Sequence, residues 1–197
     1  MTTKVLTALL AQAVIDQVNV QKFTSSGTYT PTAGCVYAII EVQAAGGNGS
    51  GIASGVGGGG GSGGYGRSLL LSPTTQTITI GAVGSNTTYG SLITCTSGGN
   101  GVSIGSGAST GGAGGTSSGG NLDNISGQTG DNGYAGSPTW SGRGANSRFG
   151  QGGISVASNS TGNPASGYGA GGGGAINSTT VGAGAPGVIY ITEFISV

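Results

Sequence analysis

Residues 36–66 read VYAIIEVQAAGGNGSGIASGVGGGGGSGGYG, and this passage joins two textures with different physical demands. The first part alternates. Val36, Ala38, Ile40 and Val42 face one way; Tyr37, Ile39 and Glu41 face the other. Period two is the signature of a strand. Apolar residues on both faces predict a strand covered on both sides in the middle of a sheet. From Ala44 onward the side chains nearly vanish, and Gly57 to Gly61 have none. An extended left-handed helix of three residues per turn has no internal hydrogen bonds. Its N–H and C=O groups must therefore find partners elsewhere. Without Cβ atoms, backbones can lie close enough to supply them, and Cα–H···O contacts add a little. The expectation is a bundle whose core is backbone, with binding loops projecting from its end. The competing reading makes the glycine tracts irregular loops on a β-sandwich.

The same alternation of textures extends outward. Strand-like segments occupy 18–23, 68–71, 77–80, 92–96 and 188–195. In the last, Ile189, Ile191 and Ile195 oppose Val188, Tyr190 and Phe194, so it is expected beside 36–43. Glycine tracts fill 98–120, 127–153 and 162–187. They have no fixed period, so equal solenoid repeats are excluded. Collagen is excluded by five prolines and no Gly-X-Y repeat. At the start, Leu6, Leu9, Leu10, Ala13 and Val14 follow helical spacing, with Gln12 and Asp16 on the polar side. A helix over 3–16 is marginal alone in water. It needs the body of the same chain, its copies in an oligomer, or a fibre shaft to cover it. The expected fold is all-β: a glycine-rich β-sandwich with packed polyglycine-II-like segments, preceded by a short N-terminal helix. Residues 1–22 form the docking and oligomerisation segment, and 23–197 the glycine-rich β domain.

Composition narrows the function. Glycine supplies 48 of 197 residues, while Lys and Arg total five, Asp and Glu five, and His is absent. General acid–base catalysis draws on these titratable groups in close pairs, and here they are scattered, which argues against an enzyme. Zero net charge gives no steering toward nucleic acid. Asp123 and Asp131 are the one close acidic pair and read as solvated turn residues rather than a Ca²⁺ site. Gly61–Gly66 and Gly182–Gly187 match G-x-G-x-x-G, but both precede strands, whereas a dinucleotide site follows a strand and opens a helix. No cofactor or metal is expected. Cys35 and Cys95 read as buried, inert thiols, with a disulfide between them as the alternative that two positions alone do not decide.

The stretch from Tyr134 to Phe149 holds the single Trp and two of the arginines. Tyr134, Trp140 and Phe149 are candidate apolar platforms for a receptor, since exposed aromatics mark binding surfaces. Arg143 and Arg148 are candidate partners for phosphate or acidic sugars. The opposing reading buries Trp140 and Phe149 as caps on the glycine bundle.

Two segments carry a resemblance. FTSSGTYTPTAGCVYAIIEVQAAGGNG (Phe23 to Gly49) resembles the opening of the glycine-rich domain at the ends of tailed-bacteriophage tail-fibre and adhesin proteins. GAGAPGVIYITEF (Gly182 to Phe194) resembles that domain's closing turn and last strand, and Gly57 to Leu70 fits its middle. The resemblance implies a non-catalytic fibre-tip protein of the virion, made in the host cytoplasm. It also implies attachment to a bacterial surface receptor, lipopolysaccharide or an outer-membrane protein, and a homotrimeric fibre context beside other tail-fibre or baseplate proteins. On this reading Leu6, Leu9, Leu10, Ala13 and Val14 dock the chain or join its copies. A purely structural virion appendage without host contact is the alternative.

Overall fold

The computed structural model describes residues 15–196. The helix expected over 3–16 therefore lies almost wholly outside the described residues. Ile15 and Asp16 are not helical, and the Asp16 N–H already donates to the Ile195 carbonyl at 3.0 Å. The described chain is all-β.

Two five-stranded antiparallel sheets organise one half. The first contains β1 (Gln17–Phe23), β3 (Cys35–Gln43), β5 (Tyr65–Leu71), β12 (Asp123–Ile125) and β16 (Val188–Ile195), in the order β1-β16-β3-β5-β12. The second contains β2 (Gly27–Tyr29), β6 (Gln76–Thr79), β7 (Thr87–Tyr89), β8 (Ile93–Cys95) and β11 (Ser117–Ser118), in the order β11-β8-β7-β6-β2. The expected pairing of the two long strands holds, with Val42 opposite Ile189 and Ile40 opposite Ile191. Residues 17–22, read from sequence as part of the docking segment, pair with β16 as the sheet's edge strand.

Alternation puts Ala38, Ile40, Val42, Ile189 and Ile191 of the first sheet against Tyr29, Ile78, Tyr89, Ile93 and Cys95 of the second, all fully buried. Their removal from water drives the sheets together. One buried residue in this half is charged. Glu193 accepts hydrogen bonds from Thr32 N (2.9 Å), Thr32 Oγ1 (2.6 Å), Tyr29 Oη (2.9 Å), Asn19 Nδ2 (2.8 Å) and Gln21 Nε2 (3.2 Å). It thereby fastens β1 and the turn after β2 to the last strand. Both cysteines are free thiols. Burial pushes the Cys95 thiol up to about 11, which suppresses thiolate chemistry.

The glycine tracts form the other half. Residues 57–64 run through its centre. Their N–H groups follow a strict three-residue rotation. Gly57, Gly60 and Gly63 donate to the carbonyls of Ala175, Gly172 and Gly169; Gly58, Gly61 and Gly64 donate to Val102, Gly99 and Thr96; Gly59 and Ser62 donate to Asp131 and Gln128. The carbonyls rotate likewise. Those of 57 and 60 accept from Gly142 and Ala145, those of 58, 61 and 64 from Ser50, Gly47 and Ala44, and those of 59 and 62 from Gly112 and Gly115. The Gly63 carbonyl accepts from the Gln43 side chain at 2.9 Å. Six different segments thus surround 57–64.

Residues 169–176 form a second centre of the same kind. They donate to 142–145, 47–50, 160–163 and Pro186, and they accept from 57–63, 153, 160 and 182–185. Bonds among the outer segments close the perimeter, and the whole section resolves into three rows. The first holds 96–102, 44–51 and 180–187; the middle one 109–116, 57–64, 169–176 and 160–165; the last 127–133, 140–146 and 152–156. Close approach makes glycine obligatory at particular central positions. A Cβ on Gly60 would overlap the Gly47 carbonyl, and one on Gly172 the Gly182 carbonyl.

Candidate binding surface

The strands attach at one end of these rows. β3 runs into residue 44, β8 into 96 and β12 toward 127, while β5, β11 and β16 leave from 64, 116 and 187. Every return at the opposite end is a loop: 51–56, 103–108, 134–139, 157–159 and 177–179. All of these loops therefore converge on one tip. Gln17 and Ser196 lie at the far pole, at the end of the first sheet away from the bundle.

Short ladders and one asparagine knit the tip together. β4 (Val56–Gly57) pairs with β9 (Ser103–Ile104), and β10 (Gly107–Ala108) pairs with β13 (Tyr134–Ala135). Asn177 sits at φ 48°, in the left-handed region that asparagine tolerates better than most residues. Its Oδ1 accepts from the Gly55 N–H at 2.7 Å, its Nδ2 donates to Asn159 Oδ1 at 2.7 Å, and its N–H donates to the Gly55 carbonyl at 2.9 Å. Three loops are thereby held in fixed relation.

Two adjoining concavities open there. One of about 280 Å³ is lined by Ser54, Val56, Ala135, Thr139, Ile176 and Asn177, among others. The other, of about 490 Å³, adds Ser137, Pro138, Ser158 and Asn159 and shares Thr139, Ile176 and Asn177. Exposed apolar side chains stand in or beside the tip loops: Ile52, Ile104, Tyr134 and Trp140, with Val102 and Ile154 in the segments that lead into them. Tyr134 and Trp140 are joined by mutual backbone hydrogen bonds of 2.7 and 3.1 Å, and their rings lie 5.3 Å apart. The loops carry no charged residue. The surface can offer hydroxyl and amide groups beside aromatic and aliphatic faces, and its loops hold no carboxylate, amine, guanidinium or imidazole.

The five residues read from sequence as one receptor site are not together. Tyr134 and Trp140 are at the tip, each about 40% exposed, so Trp140 is not a buried cap. Arg143 is exposed on the flank, and its carbonyl accepts from the Asp131 N–H at 2.8 Å. Arg148 and Phe149 lie at the sheet end, roughly 20 Å from Trp140 at about 3.1 Å per extended residue. There the Arg148 guanidinium sits 4.7 Å over the Tyr65 ring and 3.7 Å from Glu41. Phe149 begins β14 (Phe149–Gln151), which pairs with β15 (Ser166–Tyr168), and packs between Tyr65 and Tyr190. A cleft of about 310 Å³ beside them is lined by Gln43, Gln128, Asn146 and Arg148. Asp123 is paired with Arg67 at 3.0 Å. Leu6, Leu9, Leu10, Ala13 and Val14 lie outside the described residues.

Asn177, Asn159, Thr139, Ile176 and Ile104 were missed by sequence reasoning. The signal that could have found them is the order of textures. Each apolar strand adjoins a tract at the same end, so the remaining junctions must share the other.

Comparison with known proteins gives no matching family model and no matching curated relative.

Proposed function

We propose that the chain is a non-catalytic tail-fibre tip protein of a bacteriophage that grips the bacterial surface through this loop cluster. On this reading it is a β-sandwich bearing a polyglycine-II-like bundle. The observation that carries the proposal is the convergence of every loop at the far end of a bundle held by backbone hydrogen bonds. Such an arrangement uncouples the loops from the core. Their exposed side chains can change without repacking the sheet core, which suits a surface that must match a variable receptor. The rotation of hydrogen bonds by thirds supports the polyglycine-II-like reading, because three residues per turn present successive N–H groups to three neighbours. The sequence resemblance of Phe23–Gly49 and Gly182–Phe194 to tail-fibre domains supports the virion role. The neutral, aromatic tip favours a sugar or protein surface recognised by stacking and hydrogen bonds over one recognised by charge.

The test uses fluorescently labelled protein on a panel of bacterial strains, intact and with truncated lipopolysaccharide. Labelling of at least one strain is expected, with a ten-fold or greater loss for the Tyr134→Ser/Trp140→Ala variant. A folded variant that labels as well as the parent overturns the proposed site. A parent that labels no strain while binding isolated tail components supports the structural-appendage role instead.

A further inference from the structure

The cleft of about 310 Å³ at the junction of sheet and bundle holds an unsatisfied group. Gln43 ends β3 and Tyr65 begins β5, paired across the ladder, and both line it. Segments 125–128 and 146–148 complete the lining together with Ser62 and Gly63. Gln43 is only 1% exposed. Its Nε2 is directed at the carbonyls of Gly63 (2.9 Å), Gly64 (3.2 Å) and Ala44 (3.2 Å). Its buried Oε1 has no hydrogen-bond partner among the described residues. Turning the amide over is no remedy, because an oxygen would then face three carbonyl oxygens. Buried acceptors are almost always paired, so this one calls for a donor from outside the chain. The rim has the opposite surplus. The Arg148 guanidinium is held 4.7 Å over the Tyr65 ring and 3.7 Å from Glu41, yet it makes no hydrogen bond among the described residues. Asn146 Oδ1 accepts from the Gly152 N–H at 2.8 Å, which leaves Nδ2 unused. The Gln128 side chain is unused too, although its backbone is fixed to Ser62 by bonds of 2.8 and 2.9 Å. Ile125, exposed beside them, adds an apolar patch.

We propose that this cleft binds one ring of a neutral carbohydrate. The occupant must donate toward Gln43 Oε1, directly or through one water held beneath it, and accept from Arg148 and Asn146. A hydroxyl does both, whereas a carboxylate or phosphate only accepts. An apolar ligand would meet neither demand. Charge points the same way. Arg148 is the one charged residue in the lining, and Glu41 beside it offsets it. Arg67 and Asp123, on the neighbouring strands, are paired with each other at 3.0 Å. The site therefore has no net charge to favour an ion. This departs from the acidic partner that the sequence suggested for Arg148. Size fits a single ring, because small-molecule sites run from about 300 to 1,000 Å³ and this cleft is at the lower end. A pyranose carries hydroxyls around its edge for the amides and the guanidinium, and C–H groups on its faces for Ile125. The rim is set before the sugar arrives: Arg148 by Tyr65 and Glu41, Asn146 by Gly152, Gln128 by Ser62. Such preorganisation lowers the cost of ordering side chains on binding. This inference does not rest on the role of the tip.

The test is heteronuclear NMR of the full-length protein titrated with millimolar D-glucose, D-galactose, N-acetyl-D-glucosamine and D-glucuronate. At least one of the three neutral sugars is expected to shift the Gln43 side-chain NH₂ and the Arg148 Nε–H signals saturably. Arg148→Ala is expected to weaken that binding at least ten-fold. Gln128→Ala, at an exposed side chain with no bond to lose, is expected to weaken it at least three-fold with the rest of the spectrum retained. Tyr134→Ser/Trp140→Ala is expected to leave the affinity unchanged, which separates this site from the tip. No saturable shift of the Gln43 and Arg148 signals with any neutral sugar overturns the proposal and leaves an ordered water as the donor to Oε1. Tighter binding of glucuronate than of glucose overturns it in favour of an anion held by Arg148. Unchanged affinity in both cleft variants also overturns it.

Discussion

The two halves of the molecule exclude water from a polar backbone with opposite materials. In the sheets each interior strand has two hydrogen-bonded neighbours, and the space between sheets is filled by Ile40, Ile78, Ile93, Ile189, Tyr29 and Tyr89. In the bundle each central segment has six hydrogen-bonded neighbours, and little but backbone lies between them. The sheet half is held by side chains leaving water. The glycine half is held by nearly complete backbone pairing with little apolar side chain to bury. A protein interior can thus be built where removing atoms is the dangerous change, or where adding them is.

That contrast can be broken by substitution. The largest effect is expected from Gly60→Ala, whose single methyl would overlap the Gly47 carbonyl with no flexible side chain nearby to yield. A loss above about 4 kcal/mol, or failure to fold, is expected from such a change, read by chemical denaturation. Gly27→Ala is the control. A Cβ there meets nothing within 4 Å, so a shift within about 0.5 kcal/mol is expected. Equal effects at the two sites would remove the distinction between the halves. Next comes Ile40→Ala in the sheet core, with an expected loss of about 3 kcal/mol from cavity formation.

Acid sharpens the comparison further. Burial alone would raise the Glu193 carboxyl, but hydrogen bonds from Thr32, Tyr29 and Gln21 outweigh it and bring the group down to about 2. Its folded value lies below its ordinary 4.5, so its contribution is complete above that pH and is lost as pH falls toward 2. Thermal unfolding scans between pH 7 and pH 2 are expected to show that decline. Glu193→Gln is expected to flatten it while lowering stability at pH 7 by about 2 kcal/mol. Apart from the Gly27 control, the smallest effect belongs to the tip. Two residues inserted after Ser106, in an exposed loop, are expected to change stability by less than about 1 kcal/mol, since loop entropy grows slowly with length.

The sheet half was largely legible in sequence, because period-two alternation in 36–43 and 188–195 reports burial directly. The neighbour relations of the bundle were not. Gly58 and Gly59 are identical in sequence yet bond to different segments, since a residue without a side chain carries no mark of which way it faces. Tyr134, Trp140, Arg148 and Phe149 looked like one site because they are close along the chain. An extended segment instead carries its two ends to opposite ends of the bundle, at about 3.1 Å per residue. Trp140 stayed with the loops, while Arg148 and Phe149 joined the aromatic groups of β5 and β16.

The three-residue rotation along 57–64 acts as a reading frame. Deleting one residue there would turn every later N–H by a third of a turn, away from its own acceptor and toward another segment's. All downstream pairings would then be out of phase at once, in 57–64 and in the six segments around it. Length changes inside the bundle are tolerable only in whole turns, and only if the neighbours change with them. Length changes are therefore expected to be tolerated in the loops, where the three-residue phase does not have to be kept.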